Sequence, residues 1–365
     1  MMSILERLRC QLVFVLVVLV CGFAVAEDTP NPHAGHAMGG VQMDEQGRRL
    51  YGQGHKVTDA AADELRGRID QFAGADTAMI QQVMDRMGSN YEWYISDLQL
   101  RGDTGVLILA HGFRAAGDDI FRQRLAPLAN QDPTALAMGM SMMMSEHIQL
   151  AINDLEAAGA KRIVVVPVVS NRYNSLMRQW EYIFGLNDEP SYMAVPRVES
   201  NVELLLTSPP GDAPLIAATL ADYAREISTT PDNEFLLLVA HGPESAADNE
   251  IVLEMLNNLA GQVQQTVGFA AVGVISLQDD SPKAVRAANV AAMRKLIEEA
   301  EADGYQVLVV TNLLSARAVQ RELRRDLRGL SYTFNAKGIV QHDNFIRWIE
   351  TSVADTLELN SQSSP

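Results

Sequence analysis

Cysteine is nearly absent from this sequence. Its two cysteines, Cys10 and Cys21, both lie within the first 26 residues. The chain beyond them has no thiol, which excludes a disulfide or a thiolate metal site there.

Positive charge is also scarce. The 365 residues include 29 Lys and Arg against 46 Asp and Glu, which gives a net charge of −17. This balance argues against nucleic acid or an anionic membrane surface as a partner. It is compatible with a cationic or metal ligand, although most surface acids only interact with water.

Three motifs of nucleotide-binding and hydrolytic enzymes are missing. No Gly-x-Gly-x-x-Gly follows the two strands that end in His-Gly, and there is no Gly-x-x-x-x-Gly-Lys-Ser/Thr loop. A Gly-x-Ser-x-Gly elbow is absent as well. Nothing therefore supports a dinucleotide site, nucleoside triphosphate hydrolysis or a serine nucleophile, and no organic cofactor is expected.

The N-terminus has the pattern of a secretory signal peptide. Arg7 and Arg9 precede an apolar run at 12–20, and small residues at 24 and 26 form a cleavage pattern. The apolar run is too short to span a bilayer comfortably. Residues 1–26 are therefore predicted to be a cleaved export signal. An exported chain without disulfides fits a bacterial periplasm, with no stable membrane insertion after cleavage.

Residues 27–56 are predicted to be a flexible arm. The segment is rich in Gly, Pro, His and Met, a composition typical of mobile N-terminal segments. Its residues His33, His36 and Met38 could bind copper. The alternative is a disordered leader whose histidines are incidental.

Residues 57–100 are predicted to form a helical extension. Thr58 is a suitable N-cap, and apolar residues then recur at helical spacing. Tyr91, Trp93 and Tyr94 follow. Such aromatic residues could face a flat ligand, or they pack the extension onto the core.

From Gly105 onward, strand-length apolar runs alternate with helical patterns. In the first half, strands are predicted at 106–110, 134–140, 162–169 and then 193–195 or 202–206, and helices at 118–128, 146–158, 174–184 and 214–227. The second half repeats this order, with strands at 236–240, 269–277, 307–313 and 338–340 and helices at 249–263, 282–302, 316–327 and 344–357. This alternation builds parallel, doubly wound sheets. We predict two duplicated α/β domains at 101–230 and 231–359, each of roughly 130 residues, an ordinary domain size.

The first strand of each half ends in a His-Gly pair, His111-Gly112 and His241-Gly242. Ligands of open α/β sheets bind beyond the carboxyl ends of the strands. A histidine at that place is a metal ligand, a general base or a structural residue, and its repetition favours a functional role. Glycine lets the backbone approach a ligand closely. The pattern suits a metal ion or a large flat ligand.

Two further stretches accompany the strand that ends at His111. They are Leu-Glu-Ala-Ala-Gly-Ala-Lys-Arg-Ile-Val-Val-Val-Pro at 155–167 and Ser-Pro-Pro-Gly-Asp-Ala-Pro-Leu-Ile at 208–216. Together these stretches resemble the sirohydrochlorin cobaltochelatases and their ferrochelatase relatives, the class II chelatases, over about residues 105–357. The resemblance implies two flavodoxin-like domains that face a cleft. It also implies a lyase that inserts a divalent metal ion into a tetrapyrrole without a nucleotide.

On this interpretation, the tetrapyrrole and the metal ion are the partners, and both are substrates. The metal is expected to be Co²⁺, with Fe²⁺ or Ni²⁺ as alternatives. The sequence leaves open whether the protein forms a homo-oligomer. His111 matches the first active-site His of the family, which implies a metal ligand and a base for the pyrrole protons. His241 would assist it and ligate the metal, as would Asp279, while Glu146 or Asp279 would shuttle protons.

Five further residues are assigned to the tetrapyrrole by position. Gly112 and Gly242 directly follow the two histidines, and Phe113 follows Gly112. Arg172 and Arg317 follow equivalent strands of the two halves, and their guanidinium groups suit acetate or propionate carboxylates.

The sequence departs from the family at its second His, which should follow the Val-rich strand. Residues 170–174 read Ser-Asn-Arg-Tyr-Asn, and residues 314–317 read Leu-Ser-Ala-Arg. Phe113 and Pro243 stand where the family has Ser. Glu146 and His147 could replace the missing group, or Glu146 only stabilises the helix dipole.

Three functions therefore remain open. The first is an exported chelatase, and the second is a non-catalytic periplasmic protein that binds metal or tetrapyrrole on the same fold. The third is a copper-handling protein that uses the arm. Met138, Met140 and the methionines at 142–144 could likewise bind copper, or they fill gaps in the core.

Overall fold

The computed structural model describes residues 42–50, 56–87, 91–315 and 318–363. Its strands are β1 (Gln42–Met43), β2 (Arg49–Leu50), β3 (Tyr91–Tyr94), β4 (Thr104–Leu109), β5 (Thr134–Met138), β6 (Arg162–Pro167), β7 (Glu203–Leu206), β8 (Glu234–Ala240), β9 (Ala271–Ser276), β10 (Gln306–Asn312) and β11 (Thr333–Asn335). Its helices are α1 (Asp59–Arg68), α2 (Thr77–Met87), α3 (Ala115–Leu125), α4 (Ser145–Ala157), α5 (Ser175–Ile183), α6 (Pro214–Arg225), α7 (Ala246–Val267), α8 (Lys283–Ala302), α9 (Ala318–Asp326) and α10 (Asp343–Ser363).

Two sheets carry the fold. One has the order β1-β2-β3-β5-β4-β6-β7 and the other the order β11-β10-β8-β9. Within each half, the first strand is flanked by the second strand on one side and by the third and fourth on the other, and these strands are parallel. This is the flavodoxin-like arrangement. The predicted duplication of a parallel α/β unit is confirmed.

The central strands β4 and β8 are continuous apolar runs because both of their faces are covered. Val106 and Ile108 share one hydrophobic cluster with Leu236 and Leu238, so the facing sides of the two sheets enclose a common core. Helix α6 packs against α7, and α10 packs against α6 and β6. The last helix of the second half therefore contacts a strand of the first. The domain limits at 101–230 and 231–359 stay predictions.

The segment before the first half is only partly helical. Helices α1 and α2 are present, and Thr58 caps α1 by accepting a hydrogen bond from the backbone N of Ala61. The helical expectation is wrong for 91–94, which form β3, antiparallel to β5. Tyr and Trp favour a pleated, half-buried surface, and this preference outweighs the helical pattern that precedes them. Residues 42–50 of the predicted arm form a hairpin, β1–β2, that pairs with β3.

Two further expectations about strands are resolved. The fourth strand of the first half is at 203–206, the second of the two alternatives. The last strand of the second half is Thr333–Asn335, so the expectation of a strand at 338–340 is wrong. Residues Ile339–Gln341 form a 3-10 helix whose first two backbone N–H groups donate to Leu313 and Leu314. Ile339 and Val340 are buried there. The sequence of a short buried apolar run does not distinguish a strand from a helical turn.

The methionines of the first half lie in the core. Met138, Met140 and the methionines at 142–144 are all buried among apolar residues, as expected for gap-filling side chains. Among the described helices, none has the length and apolar character that a membrane crossing requires. The predicted signal peptide and the residues His33, His36 and Met38 lie outside the described residues.

Candidate active site

The two strand-end histidines have the same local geometry. In each, Nδ1 lies 3.0 Å from the carbonyl oxygen of the following glycine, Gly112 or Gly242. A ring nitrogen that faces a carbonyl oxygen carries the proton, so Nδ1–H donates and Nε2 is the nitrogen left to bind a metal or accept a proton. The equivalence inferred from the sequence therefore extends to the orientation of the rings.

The two imidazoles differ in their affinity for protons. Burial lowers the pKa of His111; the hydrogen bond to Gly112 opposes this, and the nearby charge of His241 lowers it further. Burial also opposes protonation of His241, but the carboxylates of Asp280 and Asp279 outweigh it, and the pKa of His241 is raised. At neutral pH His111 is therefore the neutral base or ligand, and His241 holds a proton to higher pH.

Asp280 is the carboxylate that faces His241, since its Oδ2 lies 3.6 Å from Nε2 of the ring. Asp279, which we predicted as a metal ligand, instead accepts a hydrogen bond from Nε of Arg286 at 2.7 Å. Burial raises the pKa of Asp279, although His241 and Arg286 act in the opposite direction. Within the described part of the chain, no three His, Cys, Asp or Glu residues form a group that could hold a metal ion. A ligand set of His111, His241 and Asp279 is thus not preformed.

The backbone around His241 explains why Asp280 reaches the ring. Gly242 has φ of 80°, and a Cβ atom there would lie 2.0 Å from Oγ of Ser276, so only glycine fits. Gln278 also adopts a positive φ of 52°. The backbone N of Asp279 donates to the carbonyl of His241 at 3.1 Å. The hydrogen bond and the close approach at Gly242 hold the loop after β8 against the loop after β9.

Glu244 adds a third acid near His241, Tyr192 lies near Glu244 and Asp280, and the sequence did not point to either residue. Burial raises the pKa of Glu244; the hydrogen bond from Ser175 opposes this, and the charges of Asp280 and Asp70 add to it. Burial also raises the pKa of Tyr192 well above its ordinary value, and Glu244 and Asp280 add to that shift. Glu244 could have been found from its position two residues after the His-Gly pair. Tyr192 lies in an irregular connection between α5 and β7 and has no sequence signal.

On the His111 side, Phe113 forms an apolar wall. Its ring centroid lies 4.1 Å from that of His111, and the ring stacks on Phe121 at 4.9 Å. The backbone N of Phe113 donates to Oδ1 of Asp118 at 2.7 Å. The backbone N of Gly112 donates to the carbonyl of Gly139 at 3.0 Å. The assignment of Gly112 and Phe113 to a substrate stays a prediction.

Glu146, Arg172 and Arg317 were also predicted to belong to the site. Glu146 is in the first turn of α4, a helix whose buried apolar residues pack on the sheet face opposite the common core. The side chain of Arg172 is 61% exposed, with Nη2 3.6 Å from Oε1 of Glu181. Arg317 lies outside the described residues. The roles given to Glu146, Arg172 and Arg317 stay predictions.

The solved structures that are similar to this chain include two of SirB. SirB from Bacillus subtilis with Fe3+ matches with a TM-score of 0.50 and 16% identity, over 69% of this chain and 96% of that chain. The sirohydrochlorin chelatase SirB from Bacillus subtilis subspecies spizizenii in complex with cobalt matches with a TM-score of 0.50 and 14% identity, over 72% of this chain and 98% of that chain.

Comparison of the sequence with known families and proteins gave no match. No family model matches the chain, and no curated protein matches it either. At 14% and 16% identity the two structural matches establish the fold alone. The chain has the class II chelatase-like fold.

Proposed function

We propose that this protein is an exported metal chelatase that inserts a divalent metal ion into sirohydrochlorin or a related tetrapyrrole. The observation that carries the proposal is the pair of strand-end histidines whose Nδ1 atoms are held by equivalent carbonyl groups, which leaves Nε2 of each ring for a metal ion or a proton. Glu244 and Asp280 add carboxylates that hold or pass protons beside His241.

Metal insertion requires two pyrrole N–H protons to leave as the metal enters. Neutral His111 takes one proton on Nε2 or binds the incoming metal there. His241 and Asp280 form a pair at 3.6 Å that passes protons towards solvent. Two protons thus leave the macrocycle for each divalent ion that enters it, and no redox partner or nucleotide is needed.

A flat macrocycle also needs an apolar surface. The ring of Phe113, supported by Phe121, supplies one beside His111. The similar SirB structures are described with Fe3+ and with cobalt, and these matches support cobalt or iron as the metal substrate. The N-terminal pattern at 1–26 supports export to the periplasm.

A second candidate is a non-catalytic periplasmic protein that binds metal or tetrapyrrole. Two observations favour it: the second histidine of the family is replaced at 170–174, and carboxylates surround His241. Such carboxylates attract a cation and repel the acid groups of a tetrapyrrole. On this alternative, His111 and His241 would hold a metal ion without turnover.

Turnover separates the two candidates. Mature protein, at one-tenth of the sirohydrochlorin concentration, is mixed with Co²⁺, and the absorption spectrum is followed. A chelatase converts all of the tetrapyrrole faster than buffer does. A binding protein changes at most an equivalent amount and leaves the remainder at the buffer rate, which would refute the chelatase proposal. Repeating the assay with Ni²⁺ and Fe²⁺ identifies the preferred metal.

A further inference from the structure

One buried carboxylate joins strand β3 to the His111 loop. The hydroxyl of Tyr91 donates to Oδ2 of Asp118, and Oδ1 of the same carboxylate accepts from the backbone N of Phe113 at 2.7 Å. Tyr91 and Asp118 are 3% and 2% exposed, so the bond between their side chains is buried, and the bond from Phe113 is partly buried. Hydrogen bonds to a charged group are stronger than those between neutral groups.

The loop that this carboxylate holds is tightly packed. Arg114 adopts a positive φ of 65°, a conformation that a side chain keeps only when its surroundings impose it. A Cβ atom at Gly117 would lie 2.7 Å from Cβ of Phe113. The backbone N of Asp118 donates to the carbonyl of Arg114 at 3.0 Å, which closes the turn.

The position of Phe113 in turn affects His111, because their ring centroids are only 4.1 Å apart. A shift of Phe113 therefore changes the space and the polarity around the imidazole. A continuous line of contacts therefore runs from the segment before the duplicated unit to the site, through Tyr91, Asp118, Phe113 and His111.

In the part of the second half that the structure describes, no equivalent support is present. Pro243 occupies the place of Phe113 and has no backbone N–H to donate. The sheet of the second half ends at β9 within the described residues, with no strand in the place of β3. The His241 loop is held instead by the close contacts of Gly242.

We propose that Tyr91 is a positioning residue for His111, acting through Asp118 and the backbone of Phe113. The segment before the duplicated unit then contributes to the geometry of the site. This inference rests on the proposed function only in giving His111 a chemical role.

The test compares Tyr91→Phe with Tyr94→Phe, which lies on the same strand and serves as the control. The hydroxyl of Tyr94 is buried without a hydrogen-bond partner among the described residues, so its removal breaks no such bond. The readout is the nuclear magnetic resonance signal of the His111 ring, its chemical shift and its pKa, in protein labelled at histidine. Tyr91→Phe should move both, since the Phe113 ring current and packing change, whereas Tyr94→Phe should match wild type.

A parallel assay follows Co²⁺ insertion into sirohydrochlorin. Loss of one positioning hydrogen bond should lower kcat roughly fivefold with little change in KM. A His111 signal that is identical in wild type and Tyr91→Phe would overturn the proposal. A wild type that inserts no metal, with a His111 signal that still moves in Tyr91→Phe, would refute the proposed function and leave the positioning role intact.

Asp118→Asn is the second variant, because it keeps the shape of the side chain if Tyr91→Phe does not fold. Its amide oxygen still accepts from Phe113, but its nitrogen cannot accept from Tyr91. The same displacement of the His111 signal is expected, and the double variant should add little to either single one. Fully additive displacements would contradict a common route through Asp118.

Discussion

Nε2 of His241 lies 3.6 Å from Oδ2 of Asp280, and this pairing distinguishes two histidines that otherwise share one local geometry. Burial opposes protonation in both rings. At His241 the carboxylates of Asp280 and Asp279 outweigh burial, so the pKa of this ring is raised. The duplicated unit thus carries one ring suited to accept a proton and one suited to hold it.

Replacing Asp280 with Asn should therefore lower the pKa of His241. The loss of one adjacent negative charge should weaken proton binding by the ring roughly tenfold. Histidine resonances followed across a pH titration measure this directly. Asp303→Asn removes an exposed acid at the end of α8 and should leave the His241 titration unchanged. An unchanged titration in Asp280→Asn would show that the pairing has no electrostatic effect.

Gly242→Ala should destabilise the fold strongly. The new Cβ would lie 2.0 Å from Oγ of Ser276, and the residue has φ of 80°. The matched control is Gly304→Ala, where φ is 89° and nothing lies within 4 Å of the new atom. The control should lose about 1 kcal/mol for its backbone conformation alone, and Gly242→Ala about 3 kcal/mol. Chemical denaturation gives both values, and equal losses would contradict the steric argument.

Glu92 should make the stability depend on pH. Its side chain is buried beside Arg49, which also binds Asp154 of α4. Burial raises the pKa of Glu92 to about 7, although Arg49 acts in the opposite direction. Because the folded-state pKa exceeds the ordinary value of 4.5, the protonated form favours folding.

The contribution of Glu92 is complete below pH 4.5 and is lost as the pH rises towards 7. The free energy of unfolding of wild type, relative to Glu92→Gln, should fall over this interval by on the order of 2 kcal/mol. The exposed control Glu250→Gln should follow wild type at every pH. A constant difference between wild type and Glu92→Gln would mean that Glu92 titrates normally in the fold.

The architecture was predictable because its signals are local. The apolar runs of β4 and β8, each ending in His-Gly, predict buried parallel strands and their duplication. Strand β3 was missed because its four residues follow a helical pattern and are too few to establish a strand period. The charge of Glu92 within this strand is compensated by Arg49, which also pairs with Asp154, and a local pattern cannot reveal partners so far apart in the sequence.

The site was less predictable because it depends on long-range packing. Asp279 and Asp280 are neighbours in the sequence, and the positive φ of Gln278 helps to set which of them faces His241. The contact of Tyr91 with Asp118 and the position of Tyr192 arise only in the tertiary fold. Identifying either would have required the pairing of β3 with β5 and the path of the connection after α5.

The most direct test of the central claim compares the initial rate of Co²⁺ insertion into sirohydrochlorin by wild type, His111→Ala and His342→Ala. His342 pairs with Asp222 outside the histidine loops and controls for the loss of an imidazole. Wild type and His342→Ala should insert cobalt well above the rate in buffer, and His111→Ala should fall at least a hundredfold. A His111→Ala variant that inserts cobalt as fast as wild type would contradict the account.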